Sequence, residues 1–113
     1  MLMKTPDTKK NVKEVRSMVV MIILGRFTQE GVTKIKDSPQ RLEAARKVLK
    51  SVGREIKQFY YTMGRYDFVA ITEGPSNEAA MQALMTIGSV GAVRTETLVA
   101  VPSEKAADII KKS

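Results

Sequence analysis

The feature that most constrains the fold of this chain is a pair of strand-like segments separated by two residues. Residues 54–63 and 66–73 are rich in β-branched and aromatic side chains, and only Gly64-Arg65 lies between them. Glycine at the first position of a two-residue loop favours a type II′ hairpin. The spacing therefore predicts a tight turn, with Met63 opposite Tyr66 and Thr62 opposite Asp67.

The register of this hairpin decides which side chains share a face. Because side chains alternate along a strand, pairing Tyr61 with Phe68 defines two faces. One predicted face holds Phe59, Tyr61, Met63, Tyr66, Phe68 and Ala70, and the other holds Ile56, Gln58, Tyr60, Thr62, Asp67, Val69 and Ile71. Both faces are largely apolar, so both need cover, and one layer of helices covers only one of them.

Two more strands and two main helices surround the hairpin. An apolar run at 19–24, ended by Gly25, predicts a buried first strand, and residues 93–101 predict the last one. Helical spacing of apolar residues predicts a helix from an N-cap at Ser38 to Gly53, and a second from an N-cap at Ser76 to Gly88. A short helical piece before Ser38 is predicted to turn Val32 and Ile35 inward.

The order strand, helix, strand, strand, helix, strand predicts an α+β fold, a ferredoxin-like βαββαβ sandwich with a four-stranded antiparallel sheet and two helices. Residues 1–17 hold five basic and two acidic residues with little apolar content, which predicts a flexible basic N-terminal arm. The domain is expected at 18–102 and a short C-terminal helix at 103–113. The second apolar face of the hairpin favours a homodimer or a higher homo-oligomer.

Composition removes most familiar catalytic chemistry. The chain has no His, Cys or Trp, which excludes imidazole bases, thiolate nucleophiles and Cys/His zinc sites. The acidic residues show no metal-ligand spacing, so we expect no metal and no cofactor. The absence of Cys fits the reducing cytoplasm, and the longest apolar run is far shorter than a membrane span. The net charge of +7 brings polyanionic partners into consideration.

A set of short motifs in fixed order resembles a known family. The segment 59–67, with Gly64, Tyr66 and Asp67, is similar to the signature of the GYD domain. Agreement continues upstream at Thr28, Gly31 and 35–39, and downstream at 87–89 and 93–98. The resemblance implies a dimeric α/β barrel of the ferredoxin-like superfamily, in which the sheets of two subunits pack face to face. The family itself carries no firmly assigned activity, and fold analogy fixes none.

Most of the candidate site residues lie in the motifs that carry this resemblance, and Arg26 is added as a neighbouring cation. We expect a small ligand to be bound or sensed at the sheet and dimer interface, with ligand-binding candidates Tyr66, Asp67, Arg94, Arg26 and Thr28. The alternative is a cofactor-independent enzyme, monooxygenase- or isomerase-like, with Asp67 and Tyr66 or Tyr60 handling a proton and Arg94 or Arg26 binding an anion. A structural role for Asp67, pairing with an arginine or accepting backbone hydrogens at the turn, is favoured over both.

An RNA-binding module is a third hypothesis. Residues 66–71 partly resemble the aromatic third-strand segment of an RNA-recognition motif, with Tyr66 and Phe68 predicted on one face. However, Asp67 places a negative charge where phosphate would lie, and the first strand lacks a second stacking aromatic. The sequence therefore weighs against nucleic acid as the partner.

Overall fold

The computed structural model describes residues 18–113. Its elements are, in order, β1 (Met18–Phe27), α1 (Gln29–Thr33), α2 (Ser38–Ser51), β2 (Glu55–Tyr61), β3 (Phe68–Pro75), α3 (Glu78–Ser89), β4 (Val93–Ala100) and α4 (Ser103–Lys111). The strands form one antiparallel sheet in the order β2-β3-β1-β4. This confirms the α+β, ferredoxin-like fold. The predicted arm lies outside the described residues, and among residues 18–113 no helix has the length and apolarity needed to cross a membrane.

The helices cover one face of the sheet. Leu49 of α2, Ile56 of β2 and Ala83 of α3 form the centre of the core on this side. In the middle of β1 and β3 the residues on this face are buried, whereas the residues that alternate with them are only half-buried. The half-covered side chains on the opposite face include Val20, Ile22, Leu24, Val69 and Ile71. We call this opposite surface the open face.

The predicted pairing of Tyr61 with Phe68, Tyr60 with Val69 and Phe59 with Ala70 is confirmed. The placement of Ile56 on the other face is wrong, because the register shifts between Ile56 and Gln58 and leaves Lys57 as an extra residue. An extra residue of this kind reverses which face of the sheet the side chains before it point to, relative to those after it. Ile56 therefore shares the helix-covered face with Phe59.

The tight two-residue turn is not formed. β2 ends at Tyr61 and β3 begins at Phe68, and beyond them the backbone N–H of Thr62 donates to the carbonyl of Asp67 at 2.9 Å. Met63 is fully exposed. Tyr66 does not face Met63, because its ring and hydroxyl contact side chains of β1 and β4 on the open face.

An aromatic cluster fills the helix-covered face near the end of β1. Phe68 stacks on Phe59 at a centroid distance of 5.2 Å and lies 5.7 Å from Phe27. Gly25 does not end the strand as predicted; it lies inside β1, where the Phe68 ring occupies the space that a Cβ would need. Since Phe68 is buried and Tyr66 is on the other face, the two aromatics do not form the stacking platform of an RNA-recognition motif.

Three predictions about the helices are wrong, and two of them concern where a helix starts. Ser38 is already helical, because a 3₁₀ turn at Ile35–Asp37 runs directly into α2, and its hydroxyl bonds that of Tyr61 at 2.9 Å. The N-cap of α3 is Asn77, not Ser76, since the Asn77 side chain accepts from the backbone N–H of Ala80.

The third correction concerns the short helix α1. Val32 and Ile35 are 55% and 44% exposed instead of turned inward. The inward position is taken by Gly31, which is buried so close to the Ala92 carbonyl that no Cβ fits between them. A close backbone approach of this kind leaves no room for a larger side chain on the inner side of α1.

Candidate functional site

A cluster of three polar side chains lies on the open face, near the end of β1. The Arg26 guanidinium lies over the Tyr66 ring, with Cζ 5.1 Å from the centroid. The Tyr66 hydroxyl donates to Oε1 of Glu96 at 3.0 Å. β1 pairs Leu24 with Glu96 and Arg26 with Arg94, so Arg26 and Glu96 are diagonal neighbours on adjacent strands. We call Arg26, Tyr66 and Glu96 the polar cluster.

The charges of the polar cluster are available for a ligand. Within residues 18–113 the ion pairs are Arg46 with Glu43 and Lys57 with Glu55, and neither involves Arg26 or Glu96. A guanidinium thus lies over the Tyr66 ring and a carboxylate lies at the Tyr66 hydroxyl. Both are exposed, and the half-buried side chain of Leu24 lies beside them on β1. The arrangement can bind a small molecule that carries both charges and an apolar group.

Asp67 has a structural contact instead of a free carboxylate. Its Oδ2 accepts the backbone N–H of Phe27 at 2.8 Å, and its own N–H donates to the carbonyl of Gly25. Asp67 therefore accepts a backbone hydrogen, as its structural role predicts, but from β1 and not from the turn. In the described part of the chain, no hydrogen bond joins Asp67 to Tyr60 or Tyr66.

Two other candidate side chains form no hydrogen bond with the polar cluster in the described part of the chain. Arg94 is the cross-strand partner of Arg26, but its Nη1 donates to the carbonyl of Gly88 in the last turn of α3 and to that of Val93 at the start of β4. Tyr60 is half-exposed on the edge strand β2, with β3 between it and β1. The structure thus groups Arg26 with Tyr66. The Arg94 guanidinium is bonded to backbone carbonyls although Arg94 is paired with Arg26, and Tyr60 lies two strands away from Arg26.

Thr28 is the N-cap of α1. Its Oγ1 accepts from the N–H of Gly31 and donates to the carbonyl of Gly91, and its backbone N–H donates to the carbonyl of Ala92. These bonds fasten α1 to the loop before β4. Thr28 thus supports the fold on the side of α1, and its hydroxyl is already used in both directions.

The model of the GYD domain matches residues 21–110. The chain belongs to the GYD domain family. The match includes every residue of the polar cluster and confirms the resemblance carried by Gly64, Tyr66 and Asp67. A relative of this GYD domain in Thermus thermophilus, named glutamine synthetase and cystathionine beta-lyase binding protein, is 29% identical over 96 residues. The alignment covers 84% of this chain and 98% of that protein.

Two solved structures of similar fold belong to longer proteins. The GYD domain is similar to a feast or famine regulatory protein from M. tuberculosis complexed with L-methionine, with a TM-score of 0.56, 19% identity and coverage of 74% of this chain and 50% of that one. It is also similar to E. coli AsnC, with a TM-score of 0.50, 26% identity, and coverage of 74% and 51%. The chain spans about half the length of these proteins, and the likeness supports the ferredoxin-like fold.

Glu96 is the cluster member that sequence reasoning did not select. Its position on the same strand face as Arg94 was visible from the period of two, but its contact with Tyr66 depends on the conformation of the loop between β2 and β3. Among residues 18–113, no group of three or more acidic side chains lies close enough together to hold a metal ion.

Proposed function

We propose that this GYD domain protein is a homo-oligomer whose copies pack through their open faces, and that it binds a small zwitterion, an amino acid, at the polar cluster. The observation that carries the proposal is a pair of unneutralised charges at one end of an apolar sheet face, with Arg26 over the Tyr66 ring and Glu96 at the Tyr66 hydroxyl. The guanidinium would bind the carboxylate of the ligand, and Glu96 its ammonium group.

The open face supports the oligomer. Ile22, Leu24, Val69 and Ile71 lie side by side on the central strands β1 and β3, and each is only half-buried in a single copy. Leu98 on the neighbouring strand β4 is 43% exposed. Contiguous apolar surface of this kind on a small domain marks an interaction site. A second copy supplies a matching apolar face, because a two-fold interface uses the same patch on both subunits.

The chemistry of the cluster supports the ligand class. An amino acid carries one carboxylate and one ammonium group on the same carbon atom, so it can pair with one guanidinium and one carboxylate that contact the same tyrosine. The protein of similar fold from M. tuberculosis is described in complex with L-methionine. An aliphatic side chain of the ligand would lie against the apolar residues of the open face.

Calorimetric titration with L-methionine tests the ligand. We expect saturable binding that is lost with N-acetyl-methionine, which lacks the ammonium group, and with methioninol, which lacks the carboxylate. Arg26→Gln should weaken L-methionine binding about tenfold or more through the loss of a charge-assisted hydrogen bond. Arg65→Gln in the neighbouring exposed loop is the matched control and should leave affinity unchanged. Equal binding of all three compounds would contradict the proposed charge recognition.

Light scattering tests the oligomer separately. The native chain should have at least twice the mass of one chain, and Ile22→Lys on the open face should produce a monomer that keeps its circular dichroism spectrum. Thr97→Lys, an exposed position on the edge strand β4, is the control and should leave the mass unchanged. A monomeric native chain would refute the proposed interface and would leave the result of the amino-acid titration unaffected.

Binding to a larger enzyme is a second candidate function. It is favoured by the name of the T. thermophilus relative, glutamine synthetase and cystathionine beta-lyase binding protein. The chain also presents an amphipathic helix, α4, whose Ile109 and Ile110 are 53% and 69% exposed. Surface plasmon resonance with purified glutamine synthetase tests this function. Binding by the native chain that is lost with the double substitution Ile109→Ser and Ile110→Ser would support it, and no binding would reject it.

A further inference from the structure

A cavity lies on the other side of the sheet from the polar cluster. It opens between α2 and α3 and reaches down to the sheet, with a volume of about 180 Å³. Its walls include Phe27, Leu42, Ala45, Phe59, Ile87 and Val93. Because these residues belong to the helix-covered side, the cavity stays accessible when open faces pack against one another.

The size and lining of the cavity select a small apolar group. A dry cavity of about 150 Å³ lined by aliphatic and aromatic side chains binds a molecule the size of benzene, because water finds no hydrogen-bond partners there. The cavity of this protein is slightly larger and has the rings of Phe27 and Phe59 among its walls. One aromatic ring or one branched aliphatic chain therefore fits inside it.

Arg41 is the polar group of the wall with hydrogen-bonding capacity to spare. The hydroxyl of Ser38 is bonded to Tyr61, and that of Thr86 donates to the carbonyl of Gln82. Arg41 donates through Nη1 to the carbonyl of Lys34 at 2.9 Å, while its Nη2 reaches the Gly31 carbonyl only at 3.4 Å. Among residues 18–113, no carboxylate forms an ion pair with Arg41.

We propose that the cavity between α2 and α3 binds a small arylalkyl or branched aliphatic carboxylate, with the apolar group inside and the carboxylate on Arg41. The half-buried guanidinium supplies a charge-assisted hydrogen bond that the apolar walls cannot. This site is separate from the polar cluster, since the sheet lies between them. It therefore takes an anion with an apolar group, whereas the polar cluster takes a zwitterion.

Phenylacetate is the probe, with benzyl alcohol as its neutral counterpart and acetate as the carboxylate without a ring. Titration followed by the methyl resonances of Leu42 and Ile87 should show saturable binding of phenylacetate, binding of benzyl alcohol about tenfold weaker, and no saturation with acetate. Arg41→Gln should weaken phenylacetate about tenfold and leave benzyl alcohol within about twofold. Equal affinities of phenylacetate and acetate would overturn the proposal.

Two substitutions fill the cavity from different walls. Ala45→Leu and Val93→Phe should each abolish binding of both aromatic probes, so a folding defect in one leaves the other as the test. Ala107→Leu, which places the same added volume on the exposed side of α4, is the control and should leave binding unchanged. Probe binding that survives both filling substitutions would place the ligand elsewhere and refute the site.

A second copy of the chain is the competing occupant. The exposed Ile109 and Ile110 of α4 from a neighbouring copy have the chemistry to enter an apolar cavity. In that case, phenylacetate affinity would fall as protein concentration rises and would recover in the Ile109→Ser, Ile110→Ser double variant. Affinity that is independent of protein concentration supports the small-molecule site. Arg26→Gln should leave phenylacetate binding unchanged, which distinguishes this proposal from the function of the polar cluster.

Discussion

The carboxylate of Asp67 accepts a hydrogen bond of 2.8 Å from the backbone N–H of Phe27, and this bond joins the start of β3 to the last residue of β1. The N–H of Asp67 donates in turn to the carbonyl of Gly25, so the two strands remain bonded beyond their regular ladder. The bond is close to Arg26 in sequence, so it fixes the backbone that presents one residue of the polar cluster.

Asp67→Ala should destabilise the fold by about 1 to 3 kcal/mol, since it leaves a part-buried N–H without its acceptor. Asp67→Asn retains an acceptor oxygen and should lose less than about 1 kcal/mol. Denaturant unfolding followed by circular dichroism measures both values. We expect both substitutions to change ligand affinity at the polar cluster only as far as they change the fraction of folded protein. If Asp67 were instead a proton-handling residue, Asp67→Asn would keep the stability and abolish a turnover.

The sequence predicted those parts of the sheet that depend on local spacing. The pairing of Phe59 with Ala70 follows from the spacing of the two segments around Gly64-Arg65 and is confirmed. The position of Ile56 does not follow, because the extra residue Lys57 reverses the alternation, and a bulge is decided by the packing of Ile56 under α2 and α3. At Ile56 the local alternation predicts the open face, whereas packing in the core places the side chain on the helix-covered face.

Only part of the candidate site could be predicted from the sequence, because some of its contacts depend on tertiary structure. Arg26 and Tyr66 were named from the sequence, and the structure brings them together. The contact of Tyr66 with Glu96 arises because the loop between β2 and β3 is wider than a two-residue turn, which places Tyr66 on the open face. Arg94 was named on the same grounds, but its guanidinium donates to backbone carbonyls nearby. The Arg26 guanidinium instead lies over the Tyr66 ring, a contact between residues distant in sequence that local spacing does not predict.

Tyr66→Phe should separate ligand recognition from stability. The substitution keeps the ring under Arg26 but removes the hydroxyl that holds Glu96, so the carboxylate loses its fixed position. We expect unfolding to change by less than about 1 kcal/mol, because the bond is exposed, while L-methionine affinity falls about fivefold. Tyr60→Phe on β2 is the matched control. Equal effects of the two substitutions on affinity would contradict a specific role for the Tyr66 hydroxyl.

Gly31 and Gly88 provide a matched pair of glycine-to-alanine substitutions in helices. A Cβ at Gly31 would overlap the carbonyl of Ala92, whereas a Cβ at Gly88 meets nothing within 4 Å. Gly31→Ala should therefore cost about 2 kcal/mol or more by forcing α1 away from the loop before β4. Gly88→Ala, inside α3, should be neutral or should stabilise the fold by up to about 1 kcal/mol, since alanine favours the helix. Thermal unfolding of both variants checks the opposite signs.

Arg54 is a buried cation that bonds to backbone instead of to a carboxylate. Its side chain is 1% exposed, and its two terminal nitrogens donate to the carbonyls of Val19, Thr72, Gly74 and Pro75 and to the Thr72 hydroxyl at 2.7 to 3.1 Å. Burial lowers the pKa of this guanidinium, and the carboxylate of Glu73 partly opposes that shift. These bonds tie the end of β3 to the start of β1 beside the first residue of β2.

Arg54→Met should therefore be one of the most damaging single substitutions in the domain. It leaves several buried carbonyls without donors, and we expect a loss of about 3 kcal/mol or more in the free energy of unfolding. Arg46→Met removes an exposed guanidinium that pairs with Glu43 at 3.3 Å and should cost less than about 1 kcal/mol. Urea unfolding of the two variants measures the difference. Similar losses in the two variants would contradict this prediction. They would mean that the carbonyls around Arg54 find other donors and that the buried guanidinium gives no net stabilisation.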